Sequence, residues 1–436
     1  MRHSIRISLL ALAFAAPVSA QTAVEYPLPE DGFGPTDVVA GPDGNVWFTE
    51  SDANQIGRIT PAGVITEFPL SDGSVPAGIA LGPDGNLWFC ENGANAIGRI
   101  TPAGVVTEFP LPDAFPAGGP SDIAAGPDGG LWFTETDGGS AGRVRRMSLT
   151  GAVTASASPN PSQAPHQIVA GPDSNLWFSM PLSGRVGRVT TSGALTEFPL
   201  PSPSADALAL APGPDGAVWV AEHLDAGDRL ARFASDGTAT EVPIPGVTSS
   251  LYGLAAGPDG AFWFTETDAS RIGRVTTAGA VSEFPLPTGS SFPWGIAVGP
   301  DGGLWFAEYD ADQIGRLAVA PFPCGADATT LCLGGGRYRL TATFNSDRAA
   351  GAAHVVGLTS DSGYLWFFDP SNTEVVVKVL DGCAVNSHHW VFAAGLTNVG
   401  VGLTVADTQT GVVRAYGNAR GTAFAPIQDA GAFPCP

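Results

Sequence analysis

Seven times along the chain a Gly-Pro-Asp triplet is followed by a tryptophan, starting at Gly41, Gly82, Gly126, Gly171, Gly213, Gly257 and Gly299. Successive starts lie 41, 44, 45, 42, 44 and 42 residues apart. A period of that length suits a unit of four short strands joined by tight turns, the blade of a β-propeller.

One unit shows how the residues enforce this. Gly78 to Leu81 is small and apolar, as an inner strand near a crowded axis must be. In Gly82-Pro83-Asp84-Gly85, proline presets φ and the last glycine supplies a permissive one, so the chain turns. Asn86 to Glu91 is the second strand, with Trp88 and Phe89 supplying bulk between blades. Ala96 to Thr101 and Val105 to Phe109 are the third and outer strands, and Pro110 blocks further pairing, which suits an exposed edge. The seventh unit, Gly295 to Leu317, lacks an outer strand, whereas Glu25-Tyr26-Pro27-Leu28-Pro29 matches one at the other end of the chain. The expectation is an all-β protein: a seven-bladed propeller over 21–320, closed by its N-terminal strand.

The first twenty residues read as a leader. Arg2, His3 and Arg6 form a positive stretch, Ile7 to Ala16 an apolar run, and Val18-Ser19-Ala20 a small-residue cleavage site. No stretch has the length and apolarity of a membrane-spanning helix. The expected location is secreted or periplasmic. The formal net charge is −22, which repels phosphate backbones and argues against a nucleic-acid partner.

Repetition stops after Pro321, and 321–436 reads as a β-sandwich. Arg337–Phe344, His354–Thr359, Tyr364–Phe368, Glu374–Leu380, His389–Ala394, Gly400–Ala406 and Val412–Tyr416 alternate as short strands. The region resembles a module found at the C-termini of secreted bacterial proteins. In an oxidising compartment its four cysteines form two disulfides, for which three connectivities exist; Cys324–Cys332 and Cys383–Cys435 is the favoured pairing. Cys90 is left as a buried free thiol. His388 and His389 are adjacent on a strand, so they face opposite sides and suit structural roles better than a shared metal.

Strand directions place the residue before each inner strand and the acid ending each second strand on one face, called the top. The inner ring there is Thr36, Ala77, Ser121, His166, a position within Asp206–Leu208, Tyr252 and Trp294. Behind it stand Glu50, Glu91, Glu135, Met180, Glu222, Glu266 and Glu308. Six carboxylates at equivalent positions are best explained as scaffold, paired with backbone donors or with Arg58, Arg99, Arg143, Arg188, Arg232, Arg274 and Arg316. A site belongs where the repeat departs from itself. In blades 4 and 5, His166 replaces a small residue and His223 follows Glu222; imidazoles beside carboxylates suit proton transfer or metal binding, so these three are the candidate catalytic residues. In blades 6 and 7, Tyr252, Trp294 and Phe292, backed by Glu266 and Glu308, form a candidate platform for a flat ligand.

The repeat itself carries a resemblance. Gly85-Asn86-Leu87-Trp88-Phe89, Ala96-Ile97-Gly98-Arg99-Ile100-Thr101 and Thr107-Glu108-Phe109-Pro110 resemble the virginiamycin B lyase (streptogramin lyase) family from Glu25 to Leu317. The resemblance implies a seven-bladed propeller that opens a cyclic depsipeptide ester by elimination with Mg²⁺. It places the family's catalytic histidines after a proline at the start of the inner strands of blades 6 and 7, where this chain has Leu251-Tyr252 and Pro293-Trp294. A family glutamate before the blade-7 proline falls on Phe292, and another on Glu308 or Tyr309. The Pro-His pattern occurs instead in blade 4, as Pro165-His166. Two functions follow: a metal-assisted lyase of altered specificity, or a non-catalytic monomer that binds a small molecule, peptide or glycan on the top face.

Overall fold

The computed structural model describes residues 23–29, 34–112, 118–138, 141–158, 164–319 except 182, 214, 225–226, 245–246, 248 and 278, and 328–434 except 335–336, 347–349, 370–373, 387, 396, 398, 408–412 and 419. The leader, Cys324 and Cys435 lie outside the described residues. No helix among the described residues is long and apolar enough to cross a membrane.

Seven four-stranded antiparallel sheets fill the repeat region. The second runs Pro76–Leu81, Leu87–Glu91, Ala96–Ile100 and Val106–Pro110, in chain order from the inside out. Inner strands of consecutive sheets pack on one another, and that of the seventh, Pro293–Val298, packs on that of the first, Pro35–Ala40, so the ring is closed. The seventh sheet takes its outer strand from the N-terminus: Val24–Pro27 pairs antiparallel with Gln313–Leu317, Tyr26 opposite Ile314. Tyr26 stacks on Trp305 at 5.7 Å and 17°, and Glu25 accepts hydrogen bonds from Thr288 N at 2.9 Å and Oγ1 at 2.7 Å.

Each Gly-Pro-Asp turn does more than reverse the chain. In all seven sheets the tryptophan indole N–H donates to the turn aspartate, from Asp43 and Trp47 to Asp301 and Trp305, at 2.9 to 3.3 Å. These seven indoles are at most 2% exposed. The turn glycine lets the ring lie against the backbone: a Cβ at Gly82 would meet Trp88 at 2.4 Å. An arginine on the third strand closes the group. Arg316 packs over Trp305 at 5.7 Å and donates to Asp301 at 2.6 Å, and Arg58, Arg188 and Arg274 repeat the pattern. Apart from Arg143, which pairs with Glu135 as expected, these arginines face the tryptophan end of the sheet rather than the Glu ring. In blade 3 the equivalent residue is Arg146, opposite Trp132, rather than Arg143.

In the C-terminal region two five-stranded antiparallel sheets cover one core. One contains Thr330–Leu333, Tyr338–Asn345, Ala350–Ala352, Gly400–Asp407 and Val413–Asn418; the other contains His354–Thr359, Ser362–Trp366, Val375–Asp381, His388–Gly395 and Ile427–Pro434. Three of these strands, Thr330–Leu333, Ala350–Ala352 and Ile427–Pro434, lack the clear alternation that marked the other seven. Cys332 and Cys383 are disulfide-bonded, and Cys324 and Cys435, their expected partners, are not among the described residues. Cys90 is a free, fully buried thiol.

Tyr26→Ala removes the ring stacked on Trp305 from the closing strand. It is expected to lower stability by about 1–3 kcal/mol in urea titrations. Deleting Val24–Pro27 bares the edge of Gln313–Leu317 and is expected to give a chain that aggregates on size-exclusion chromatography.

Candidate functional site

The site is the mouth of the central channel on the top face. Each inner strand enters it through a short loop, and three of these loops end in a residue with left-handed backbone just before a proline: Gly34 at φ 52°, Val75 at 47° and Phe292 at 54°. Such angles are unusual for a branched or bulky residue and mark strain held by the surrounding structure. The following residue of each strand then points into the channel.

Here the inner ring encloses a cavity of about 470 Å³. Thr36, Ala77, Ser121, His166, Tyr252 and Trp294 all line it, so the two regions where the repeat breaks open onto one space. The uncertain fifth position is Leu208, because Leu210 pairs with Val220 as Val38 pairs with Phe48. Tyr252 and Trp294 stack at 5.5 Å and 7°, and Trp294 stacks on Tyr309 at 4.8 Å and 15°. Tyr309 donates its hydroxyl to Asp52 Oδ2 at 3.0 Å. Phe292 packs at an angle on Trp294, 6.4 Å away, without lining the cavity.

His166 is solvent-exposed within the cavity, yet protein surrounds the imidazole, and this desolvation holds its pKa below the usual histidine value. His223 and Glu222 do not line the cavity. His223 Nδ1 lies 2.9 Å from buried Asp228 Oδ1 in a loop of blade 5. Met180 is fully buried in the apolar seam with Trp132 and Phe178.

Glu266 and Glu308 are also absent from the cavity wall; with Glu50, Glu91 and Glu222 they form a fully buried ring behind it. None of the ten oxygens of these five carboxyls has a hydrogen-bond partner among the described residues. Glu266 lies 3.2 Å from Arg271 Nε, without hydrogen-bond geometry. Glu135 alone has an ion pair of good geometry, with Arg143 at 2.7 Å and Arg145 at 3.2 Å. Burial, then neighbouring acids, pushes Glu50, Glu222 and Glu308 up to about 8, and burial pushes Glu91 and Glu266 up to about 7.

Sequence reading missed a set of groups one residue further along the inner strands. Asp37 Oδ2 accepts from Ile79 N at 3.0 Å in the next blade, and Asp122 Oδ2 accepts from Ile168 N at 2.8 Å. Gln167 Oε1 likewise accepts from Leu210 N at 2.9 Å. Asp37, Asp122 and Gln167 thus tie blade to blade and line the cavity as well. Burial raises the pKa of both aspartates, and for Asp122 the charge of Asp37 adds to the rise. The signal available was the substitution of Asp or Gln for the glycine found at Gly78, Gly253 and Gly295.

Another group of possible metal ligands, Asp381, Cys383 and His389, lies in the C-terminal region. Cys383 is disulfide-bonded and offers no thiolate, and His389 Nε2 faces Arg337 at 3.0 Å. The trio is structural.

The Glu ring sets a pH dependence. Its folded-state pKa values lie above the ordinary glutamate value, so the stability it contributes is complete below about pH 4.3 and is lost as pH rises through 7 to 8. Thermal melts are expected to shift downward from pH 5 to pH 9. The combined substitution Glu50→Gln, Glu222→Gln and Glu308→Gln, which fixes the neutral form, is expected to flatten that fall.

Comparison with known proteins agrees with this architecture. The model of the virginiamycin B lyase family matches residues 18–230 and 224–322. A streptogramin B lyase structure is 34% identical, with a TM-score of 0.63, covering 68% of this chain and 97% of that one. Selenomethionine-substituted virginiamycin B lyase from Staphylococcus aureus is 35% identical, with a TM-score of 0.63 and 68% and 99% coverage. A catalytically inactive histidine-to-alanine variant of that lyase, solved with quinupristin, is 34% identical over the same 68% of this chain and 99% of its own, with a TM-score of 0.63. No curated protein sequence gives a match. By its repeat, its closed ring of sheets and these similarities, the chain belongs to the virginiamycin B lyase family.

Proposed function

We propose that this protein is an exported, non-catalytic member of its family that binds a flat ligand in the top-face cavity. The observation that carries the reading is the Tyr252–Trp294 stack, 5.5 Å apart and nearly parallel. These residues occupy the positions to which the family resemblance assigns catalytic histidines. An indole has no basic nitrogen and a phenol keeps its proton at neutral pH, so neither replaces an imidazole as a base. What they offer instead is apolar area and π-faces at the mouth of a cavity of small-molecule size.

Mg²⁺, the cofactor the resemblance implies, does not fit the residues present. Asp37 and Asp122 each have both oxygens engaged by backbone N–H groups. No set of three ligand side chains converges in the cavity among the described residues. Magnesium demands near-octahedral oxygen ligands, and no step is derived through it.

One observation favours a second reading. His166 opens onto the same cavity and burial lowers its pKa, which favours the unprotonated form a general base needs. In that reading it removes the proton α to a carbonyl whose β-carbon carries the ester oxygen; the electron pair forms the Cα=Cβ double bond, the Cβ–O bond breaks, and the carboxylate leaves without added water.

One incubation separates the two. With a type B streptogramin and Mg²⁺, chromatography coupled to mass spectrometry is expected to show no linear product of unchanged mass. A product that forms, and disappears in His166→Ala, replaces the binding reading by elimination. For binding itself, N-acetylphenylalaninamide is expected to quench tryptophan fluorescence, and Trp294→Ala to weaken its affinity by about tenfold.

A further inference from the structure

The charge pattern of the cavity wall narrows the ligand. Three carboxylates line it: Asp37 and Asp52 from blade 1 and Asp122 from blade 3. No lysine or arginine lines it among the described residues, and burial lowers the pKa of His166, the one imidazole, which disfavours its charged form. Opposite in origin are the aromatic groups, Tyr252, Trp294 and Tyr309 from blades 6 and 7, stacked in a row. From these observations we infer that the cavity selects an organic cation, a tertiary or quaternary ammonium, over neutral molecules of the same shape. The inference rests on the binding reading above and deepens it.

The carboxylates are built into the wall rather than lying loosely at a surface. Asp37 is held by Val38 N and Ile79 N, Asp122 by Ile123 N and Ile168 N, and Asp52 by the Tyr309 hydroxyl. Gly78 separates the first two. A Cβ there would come within 2.2 Å of Asp122 Oδ1, so the glycine is what admits the carboxylate to the wall. Burial, and then the charge of Asp37, pushes Asp122 up to about 8, and burial pushes Asp37 up to about 6, so near neutral pH this pair keeps a proton that a cation placed between them and the rings would displace.

The same geometry argues for an ammonium over a metal ion. A metal held by the protein needs several converging ligand atoms, and no three ligand side chains converge in the cavity among the described residues. An alkylated ammonium needs only negative potential and aromatic faces within about 6 Å of its charge, and a wall of this composition supplies both. The ring quadrupoles and the carboxylates act in the same sense.

The test uses the full chain and three probes in calorimetric or ligand-observed NMR titrations: choline, its neutral isostere 3,3-dimethylbutan-1-ol, and N-acetylphenylalaninamide. Choline is expected to bind about fivefold or more tightly than the isostere, and Trp294→Ala to abolish its binding. Asp122→Asn is expected to remove most of the difference between choline and the isostere. Because Asp122 also joins blades, Asp52→Asn, whose side chain bonds only to Tyr309 among the described contacts, serves as the second variant and is expected to reduce the ratio too. Equal binding of choline and the isostere overturns the inference while leaving the cavity a binding site. Binding of N-acetylphenylalaninamide without choline does the same. Failure of all three probes removes the binding reading itself.

Discussion

The propeller depends on the Asp–Trp–Arg group that closes the bottom of each blade. A tryptophan placed between sheets supplies the volume a closed ring needs, but its indole N–H must find a partner once buried. The turn aspartate provides it four residues upstream, and most of the third-strand arginines neutralise that aspartate while covering the ring. Burial alone would raise the pKa of these aspartates; hydrogen bonds from the indole, nearby backbone and arginine overcome it, so Asp128, Asp215 and Asp301 sit below the ordinary value. Three side chains thus come together in six of the seven blades, and in blade 2 Arg99 covers Trp88 without reaching Asp84, so the bottom face is settled independently of the top.

That independence is visible at the top. Where blades 2, 6 and 7 keep glycine on the inner strand, blades 1, 3 and 4 extend Asp37, Asp122 and Gln167 to the backbone of the next blade. These links replace part of the cohesion that a uniform ring would obtain from small residues packed side by side. They also line the top-face cavity, so groups that join the blades are among those that set its polarity. The aromatic row joins blades differently, by the Tyr252–Trp294 stack between blades 6 and 7 and the Tyr309–Asp52 hydrogen bond between blades 7 and 1.

Legibility in the sequence followed periodicity. Strand order, the turn glycines, the closing strand and the inward positions of His166, Tyr252 and Trp294 could be read because each repeats or breaks a repeat. The arginines were misread because their partner was chosen by nearness to Glu in a two-dimensional blade, whereas register puts Arg58 opposite Trp47 at the other end of the sheet. His223 was grouped with His166 because both break the pattern, although a loop aspartate holds it away from the channel. Asp37 and Asp122 were missed because an exposed-looking Asp in a turn-rich chain carries no period of its own; only the ring brings two blades apart in sequence to one wall. Tyr309 rather than Glu308 faces the cavity because a short 3₁₀ turn, Tyr309–Ala311, begins there and redirects the side chain.

The closing strand bears on how the chain comes to be folded in time. Val24–Pro27 pairs with residues almost 290 positions later, and a pairing so distant must wait until the last blade exists. Six blades can form as they emerge, each from contacts within about forty residues, but the first strand synthesised has no partner until nearly the last of the ring. The ring is thus a register of completion: a chain stopped before Gln313–Leu317 leaves Val24–Pro27 without its partner strand and bares the packed faces of the sheets at the ends of the partial ring. Only the finished propeller covers those faces and pairs that strand, which makes the difference between whole and broken chains readable by anything that recognises exposed apolar faces or an unpaired strand.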